Sequence, residues 1–208
     1  MRAKSSIFTL NSFSPVILSM CPKMKRIILI AIITMLLPNM NTQAQTASGK
    51  KVLVAYFSHS GNTCDMARQI AEATGGDLFE IVPVEAYPTE YKVVVDQAKK
   101  EINDGVRPAL KGELPDVGAY DVIFVGSPCW WSTVAPPVAT FLAGCDWSGK
   151  TVVPFMTHEG SRMGHSEDDI RKLCAGATLL GGLPVRGGAV RSSQDAVRKW
   201  VQGLNLTK

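Results

Sequence analysis

Charge, aromatic rings and histidine are all scarce in this 208-residue chain. Charged side chains make up 19%, aromatic ones 7%, and there are three histidines. With so few histidines and no Cys-x-x-Cys pair, no metal-ligand spacing is present. His158-Glu159 opens like HExxH, but Arg162 stands where the second histidine belongs. No apolar run reaches the roughly 20 residues that a membrane-spanning helix needs. Gly (18) and Pro (12) are too few and too scattered for a fibrous or low-complexity chain. An excess of positive charge is missing from most of the chain as well. Residues 1–44 hold five bases and no acid, which leaves 17 bases facing 18 acids in the remainder. That balance argues against a protein that binds nucleic acid by neutralising its phosphates. What is plentiful is apolar side chain, at 46%, enough for the core of one globular domain.

The basic N-terminus has its own pattern. Lys25-Arg26 precede an apolar run from Ile27 to Leu37, broken only by Thr34 and ended by Pro38. Eleven residues suit the central segment of a secretory signal. Ala44 is a small residue suited to cleavage. Residues 1–44 are therefore read as an N-terminal extension and signal peptide, starting from Met1 or from Met24. The mature protein is expected in the periplasm or outside the cell, with no stable membrane anchor. Cys21 would leave with the signal. Cys64, Cys129, Cys145 and Cys174 remain; their wide spacing favours free buried thiols, although one disulfide is open.

From Lys50 onward, strand-like and helix-like segments alternate. Val52–Phe57 is a near-continuous apolar run, as expected for a strand buried on both faces of a parallel sheet. Met66, Ala67, Ile70 and Ala71 follow at helical spacing and stop at Gly75-Gly76. Leu78–Val82 reads as the second strand. Thr89 opens a helix with Tyr91, Val94, Val95, Ala98 and Ile102 on its apolar side. Val122–Val125 is the third strand, and Pro136-Pro137 begin the third helix. Thr151–Met156 is the fourth strand. Ser166 and Asp169 form a capping box before the fourth helix. A fifth strand within Ala177–Val185 is broken by Gly181-Gly182, and Ser193 starts the last helix. Five strands alternating with five helices define a doubly wound α/β domain over residues 50–208.

Ligands bind such sheets at the carboxyl ends of the strands. After the first strand, Ser58-His59-Ser60-Gly61-Asn62-Thr63 offers hydroxyls, a glycine and a helix N-terminus, with no Lys or Arg. It is neither a Walker A loop nor GxGxxG. A neutral cradle of hydroxyls and amides suits a phosphate monoester. After the third strand, Ser127-Pro128-Cys129-Trp130-Trp131 places two of the four tryptophans side by side, and aromatic faces at a site edge suit a planar ring. After the fourth strand, Thr157-His158-Glu159-Gly160 brings polar groups and a glycine that allows close backbone approach.

Together these segments resemble the flavodoxin family. Ser58–Thr63 matches the family's phosphate loop, [ST]-x-[ST]-G-x-[ST]. Gly126-Ser127-Pro128-Cys129-Trp130-Trp131 matches the second flavin loop of a branch carrying G-x-P-x-W-W. Pro154–His158 resembles the third loop, and Leu173–Ala177 a later segment. The resemblance runs from Lys50 nearly to the end. It implies a five-stranded parallel sheet of order 2-1-3-4-5 with helices on both faces, and FMN as cofactor. Ser58, Ser60, Asn62 and Thr63 would hold the phosphate. Pro128, Trp130 and Trp131 would flank the ring or ribityl chain, and Thr157, His158 and Gly160 the ring's other edge. Glu159 would place an acid there, opposing a reduced anionic ring. Electron transfer with a redox partner protein or a small acceptor such as a quinone follows as the expected function. An NAD(P)H-dependent quinone or flavin oxidoreductase of the same fold is the alternative. A hydrolase using Cys129 with His158 is the competing class.

Overall fold

The computed structural model describes residues 49–206; the proposed signal segment lies outside them. Strand β1 (Val52–Tyr56) is buried along its whole length, because alternate residues feed opposite cores. Val52, Val54 and Tyr56 pack with Met66, Ile70, Phe124, Phe155 and Val197 on one face. Leu53, Ala55 and Phe57 join Ile123, Val138, Phe141, Leu142 and Ile170 on the other. Full burial of a Leu, Ile or Phe side chain contributes about 1.5–3 kcal/mol.

Helix α1 (Asn62–Thr74) follows and ends at Gly75, whose φ of 69° and amide bonded to Ala71 O make a left-handed stop. Strand β2 (Asp77–Glu80) is the mostly exposed edge. Helix α2 (Tyr91–Asn103) buries only Val94 and Ala98, and Tyr91 is 80% exposed rather than part of a core face. Strand β3 runs Val122–Trp130, well past Gly126, so that the expected second loop is mostly strand. It turns into the short antiparallel β4 (Thr133–Val134) through Trp131 and Ser132. Helix α3 (Pro136–Ala143) and strand β5 (Thr151–His158) follow.

Helix α4 (Ser166–Leu173) departs from the expected capping box. Ser166 is its first residue, and its buried hydroxyl has no partner; the Asp169 carboxylate turns to other groups. The fifth strand is split into β6 (Thr178–Leu179) and β7 (Leu183–Arg186), both paired with β5 and separated at Gly181-Gly182. Helix α5 (Gln194–Gly203) completes the described chain. The sheet order is β2-β1-β3-β5-β6, parallel throughout this path. That is the expected 2-1-3-4-5 order, with β7 continuing the fifth position and β4 added off the path. The order reverses between β1 and β3, whose carboxyl ends flank the switch point.

Candidate functional site

The first loop is built by the start of α1. Gly61, with φ 91°, turns the chain in a conformation only glycine adopts freely. Ser58 Oγ accepts the Cys64 amide at 3.1 Å, satisfying one orphan donor of the helix. The amides of Gly61, Asn62 and Thr63 meet no acceptor among the described residues. Free amides and the positive end of the helix dipole together receive an anion. Thr63 is almost fully buried, and its hydroxyl lies 2.8 Å from that of Thr157. One of the two donates to the other, so one proton remains for a further acceptor. This bond ties the first loop to the third.

In the second loop the two tryptophans part. Trp130 packs edge-on against Tyr87, Phe57 and His59, with centroids 5.0, 5.6 and 5.8 Å away. Trp131 swings out, 47% exposed; its Nε1 donates to Val95 O of α2 at 3.0 Å, and Lys99 Nζ sits 4.6 Å from its ring centre. Ser127 is buried. Its Oγ accepts the Ala135 amide and donates to Pro128 O, both at 2.8 Å, which fixes the turn from β4 into α3.

In the third loop, His158 ends β5, and its Nδ1 is buried without a partner. Burial lowers its pKa below the usual histidine value; Arg162 and Arg186 add to this and Glu159 opposes it. The ring is neutral at neutral pH. The unfolded chain takes up the proton first, so this histidine costs stability as pH falls below the usual histidine range. Glu159 pairs with Arg186 at 3.5 Å, both about 70% exposed. The acid expected to oppose negative charge on a ring thus has a cation beside it, 27 residues along, in an exposed pair of small energetic worth. Gly160 has open space where a side chain would stand.

These loops surround one cavity of about 650 Å³. Ten of the fifteen sequence-nominated residues line it: His59, Ser60, Asn62, Pro128, Cys129, Trp130, Trp131, Thr157, His158 and Glu159. Ser58, Gly61, Thr63, Ser127 and Gly160 do not line it: Thr63 and Ser127 are buried, whereas Gly61 and Gly160 are exposed. The cavity also has walls that the sequence reading did not nominate. Thr89, Tyr91, Val94, Val95 and Ala98 contribute the α2 side, and Ser132, Ser161 and Gly187 complete it. The helical periodicity of α2 did signal an apolar face, but not that it faces a cavity. Gly187 lines the cavity between Asn62 and Glu159. A Cβ there would stand 2.6 Å from Asn62 Nδ2 and closer still to Glu159 Oε1.

The chemistry of the donors fits a phosphate monoester at α1 joined to a planar ring beside Trp130 and Trp131. A buried His158 nitrogen without a partner is also what a site completed by a ligand leaves behind. A cysteine nucleophile is not assembled: among the described residues no hydrogen bond reaches the Cys129 sulfur, and Glu159 is engaged by Arg186. The described residues hold no cluster of three metal-ligating side chains. All four described cysteines are free, and burial pushes the Cys174 thiol up to about 12, well away from reactivity.

A neutral anion cradle and an aromatic wall at the switch point of a doubly wound sheet define a nucleotide-type cofactor domain. The flavodoxin family pattern matches residues 51–204, and the chain belongs to that family. A protein from Bacteroides eggerthii DSM 20697 designated a flavoprotein is 34% identical, with a TM-score of 0.67, over 76% of this chain and 99% of its own. A second, from Bacteroides uniformis ATCC 8492, is 32% identical with the same TM-score, over 74% and 99%. A flavoprotein from Lactobacillus acidophilus NCFM, solved in complex with FMN, is 25% identical with a TM-score of 0.58, over 71% and 97%.

Proposed function

We propose that this protein is an FMN-binding redox protein that passes electrons to or from a partner. The cofactor is FMN. The observation that carries the reading is that Ser60 and Asn62 of the α1 cradle line the same cavity as the two tryptophans. The amides of Gly61, Asn62 and Thr63, with the Ser60 and Thr63 hydroxyls, would hold the phosphate. Trp130, Trp131 and the end of β5 would hold the ring. When bound, FMN supplies one- or two-electron redox chemistry, while the chain sets orientation, access and nearby charge. Tyr91 and Trp131 present large exposed rings at the mouth of the cavity, a surface suited to contact with a partner.

The α2 wall favours a second reading. Tyr91, Val95 and Ala98 extend the cavity beyond the three cofactor loops, giving room for a small planar acceptor such as a quinone. Anaerobic mixing with excess NADH or NADPH separates the two. The carrier reading expects the flavin absorbance to persist with either nucleotide and to bleach with dithionite. Rapid, saturable bleaching by a nucleotide would move the protein to the NAD(P)H:acceptor oxidoreductases. A colourless protein that takes up no FMN would reject both.

We further propose that residues 1–44 direct export and are removed. N-terminal sequencing of the native protein is expected to begin between about Gln43 and Ser48. Cytosolic protein that retains residue 24 would refute export.

A further inference from the structure

The turn that carries Trp131 is strained, and the strain is held from outside. Trp130 and Thr133 pair across the β3–β4 hairpin, leaving Trp131 and Ser132 as its two central residues, with φ of 50° and 65°. Two consecutive left-handed residues are the geometry of the tightest hairpin turn, which ordinarily selects Asn-Gly. Neither Trp nor Ser prefers it. The turn does not select its own conformation, so other contacts must.

On the indole, α2 supplies the Val95 carbonyl and Lys99; on the backbone of the turn, the contacts come from the segment entering α4. The His165 amide donates to Ser132 O at 2.8 Å. Gly164, with φ 52°, lies so close that a Cβ on it would stand 2.7 Å from Ser132 C and Cα. The buried Thr133 hydroxyl donates to Asp169 Oδ2 at 2.6 Å. The same carboxylate meets His165 Nδ1 at 2.6 Å and Lys172 Nζ at 3.2 Å. Burial would raise the Asp169 carboxyl, but these donors outweigh it and hold it below the usual carboxylate value. Asp169 is therefore ionised at neutral pH and is a strong acceptor for Thr133. Asp169 touches nothing in the cavity, whereas the turn that it braces contributes Trp131 and Ser132 to the cavity wall.

We propose that Asp169 is a positioning residue for the flavin site: through the Thr133 hydroxyl it holds the Trp131–Ser132 turn in its left-handed form and so presents Trp131 to the cavity. The effect on cofactor binding rests on the FMN reading above, whereas the effect on the turn does not. A turn released from its brace populates the binding-competent form only in part, and apparent affinity falls by that fraction.

The test is titration of apoprotein with FMN and, separately, with riboflavin, followed by quenching of flavin fluorescence. Asp169→Ala and Thr133→Val are each expected to weaken both flavins by the same factor, about tenfold for a competent fraction near one-tenth. Equal loss is the signature of a ring-side effect, because the phosphate loop is untouched. Thr133→Ser, which keeps the hydroxyl, is expected to bind as the parent does. The double variant Asp169→Ala/Thr133→Val is expected to be no weaker than either single one. In apoprotein, Asp169→Ala is expected to change tryptophan fluorescence, and the change is expected to vanish in a Trp131→Phe background. A folded Asp169→Ala protein with parental affinity for both flavins and an unchanged tryptophan signal would overturn the proposal. So would Thr133→Ser behaving like Thr133→Val. If the parent itself bound no flavin, the FMN reading would fail, and the Trp131 signal would still decide whether Asp169 braces the turn.

Discussion

Gly126→Ala is expected to destabilise the fold by about 3 kcal/mol, the upper end of the ordinary cost of overpacking. The cause is packing and not backbone conformation. Gly126 pairs with Tyr56 on β1 and Phe155 on β5, at the point where the strands approach the cofactor loops. The Phe155 ring folds across the glycine. A Cβ would stand 2.8 Å from its Cε1 and closer still to Cε2 and Cζ. Phe155 is fully buried among Tyr56, Phe124, Val153 and Val185, so the ring has nowhere to go. Cores packed to crystal density transmit such an intrusion and do not absorb it. For a domain of this size the loss corresponds to a fall in Tm of roughly 6–12 °C. Phe155→Leu removes the ring tip that the new methyl would strike. The double variant Gly126→Ala/Phe155→Leu is therefore expected to be more stable than the sum of the two single changes implies, by about 1 kcal/mol or more. Denaturant unfolding of all four proteins measures this. A Gly126→Ala protein as stable as the parent, or strictly additive changes, would refute the overlap.

Much of this arrangement was legible in the sequence, and the limits have physical causes. The alternation of apolar runs and amphipathic helices revealed the sheet, because burial on both faces demands runs such as Val52–Phe57. The loops at the strand ends were legible for the same reason: a break in the apolar pattern beside hydroxyls and tryptophans has few other uses. The β3 boundary was not, because Gly126 and Pro128 read as breakers. Hydrogen bonding on to β5, where Pro128 lies opposite Thr157, carries the strand past both. Local pattern also misjudged Asp169. Spacing from Ser166 suggested a cap, yet Thr133, 36 residues earlier, takes its carboxylate. Arg186 and Glu159 are a further pair that only the fold brings together. Tyr91 carries the same lesson for packing: a helical apolar face states what wants cover, not what covers it.

The charge around the cavity bears on the partner proposed above. No Lys or Arg stands in the phosphate loop, and Asp65 in the first turn of α1 is flanked by Arg68 and Arg191, each 3.8 Å away. At the ring end, Arg186 meets Glu159 and Lys99 sits over Trp131. The rim therefore mixes both signs instead of presenting a field of one sign. Exposed pairs of this kind contribute little binding energy. If the protein is the electron carrier proposed above, contact with its partner would depend on the exposed Tyr91 and Trp131 rings more than on long-range steering, and its rate should respond weakly to salt.

The largest functional effect is expected in the comparison of FMN with riboflavin, which differ only by the phosphate. The cradle offers the amides of Gly61, Asn62 and Thr63, and hydroxyls from Ser60 and Thr63, at the positive end of α1. A hydrogen bond to a charged group contributes about 1.5–3 kcal/mol, so two well-made ones correspond to roughly a hundredfold or more in affinity. FMN is therefore expected to bind at least about a hundredfold more tightly than riboflavin. Thr63→Val tests where that discrimination resides. The Thr63 hydroxyl already meets Thr157 at 2.8 Å, and a hydroxyl that accepts from one neighbour can still donate to another. Removing it leaves Thr157 without this partner and the phosphate with one donor fewer. FMN affinity should fall about tenfold, riboflavin affinity by much less, and the ratio between the two should shrink accordingly. Titration of parent and variant apoprotein with both flavins measures the four constants. Equal affinity of the parent for FMN and riboflavin would remove the phosphate from this loop altogether. An equal loss for both flavins in Thr63→Val would assign its hydroxyl to bracing the third loop through Thr157, with no contact to the phosphate.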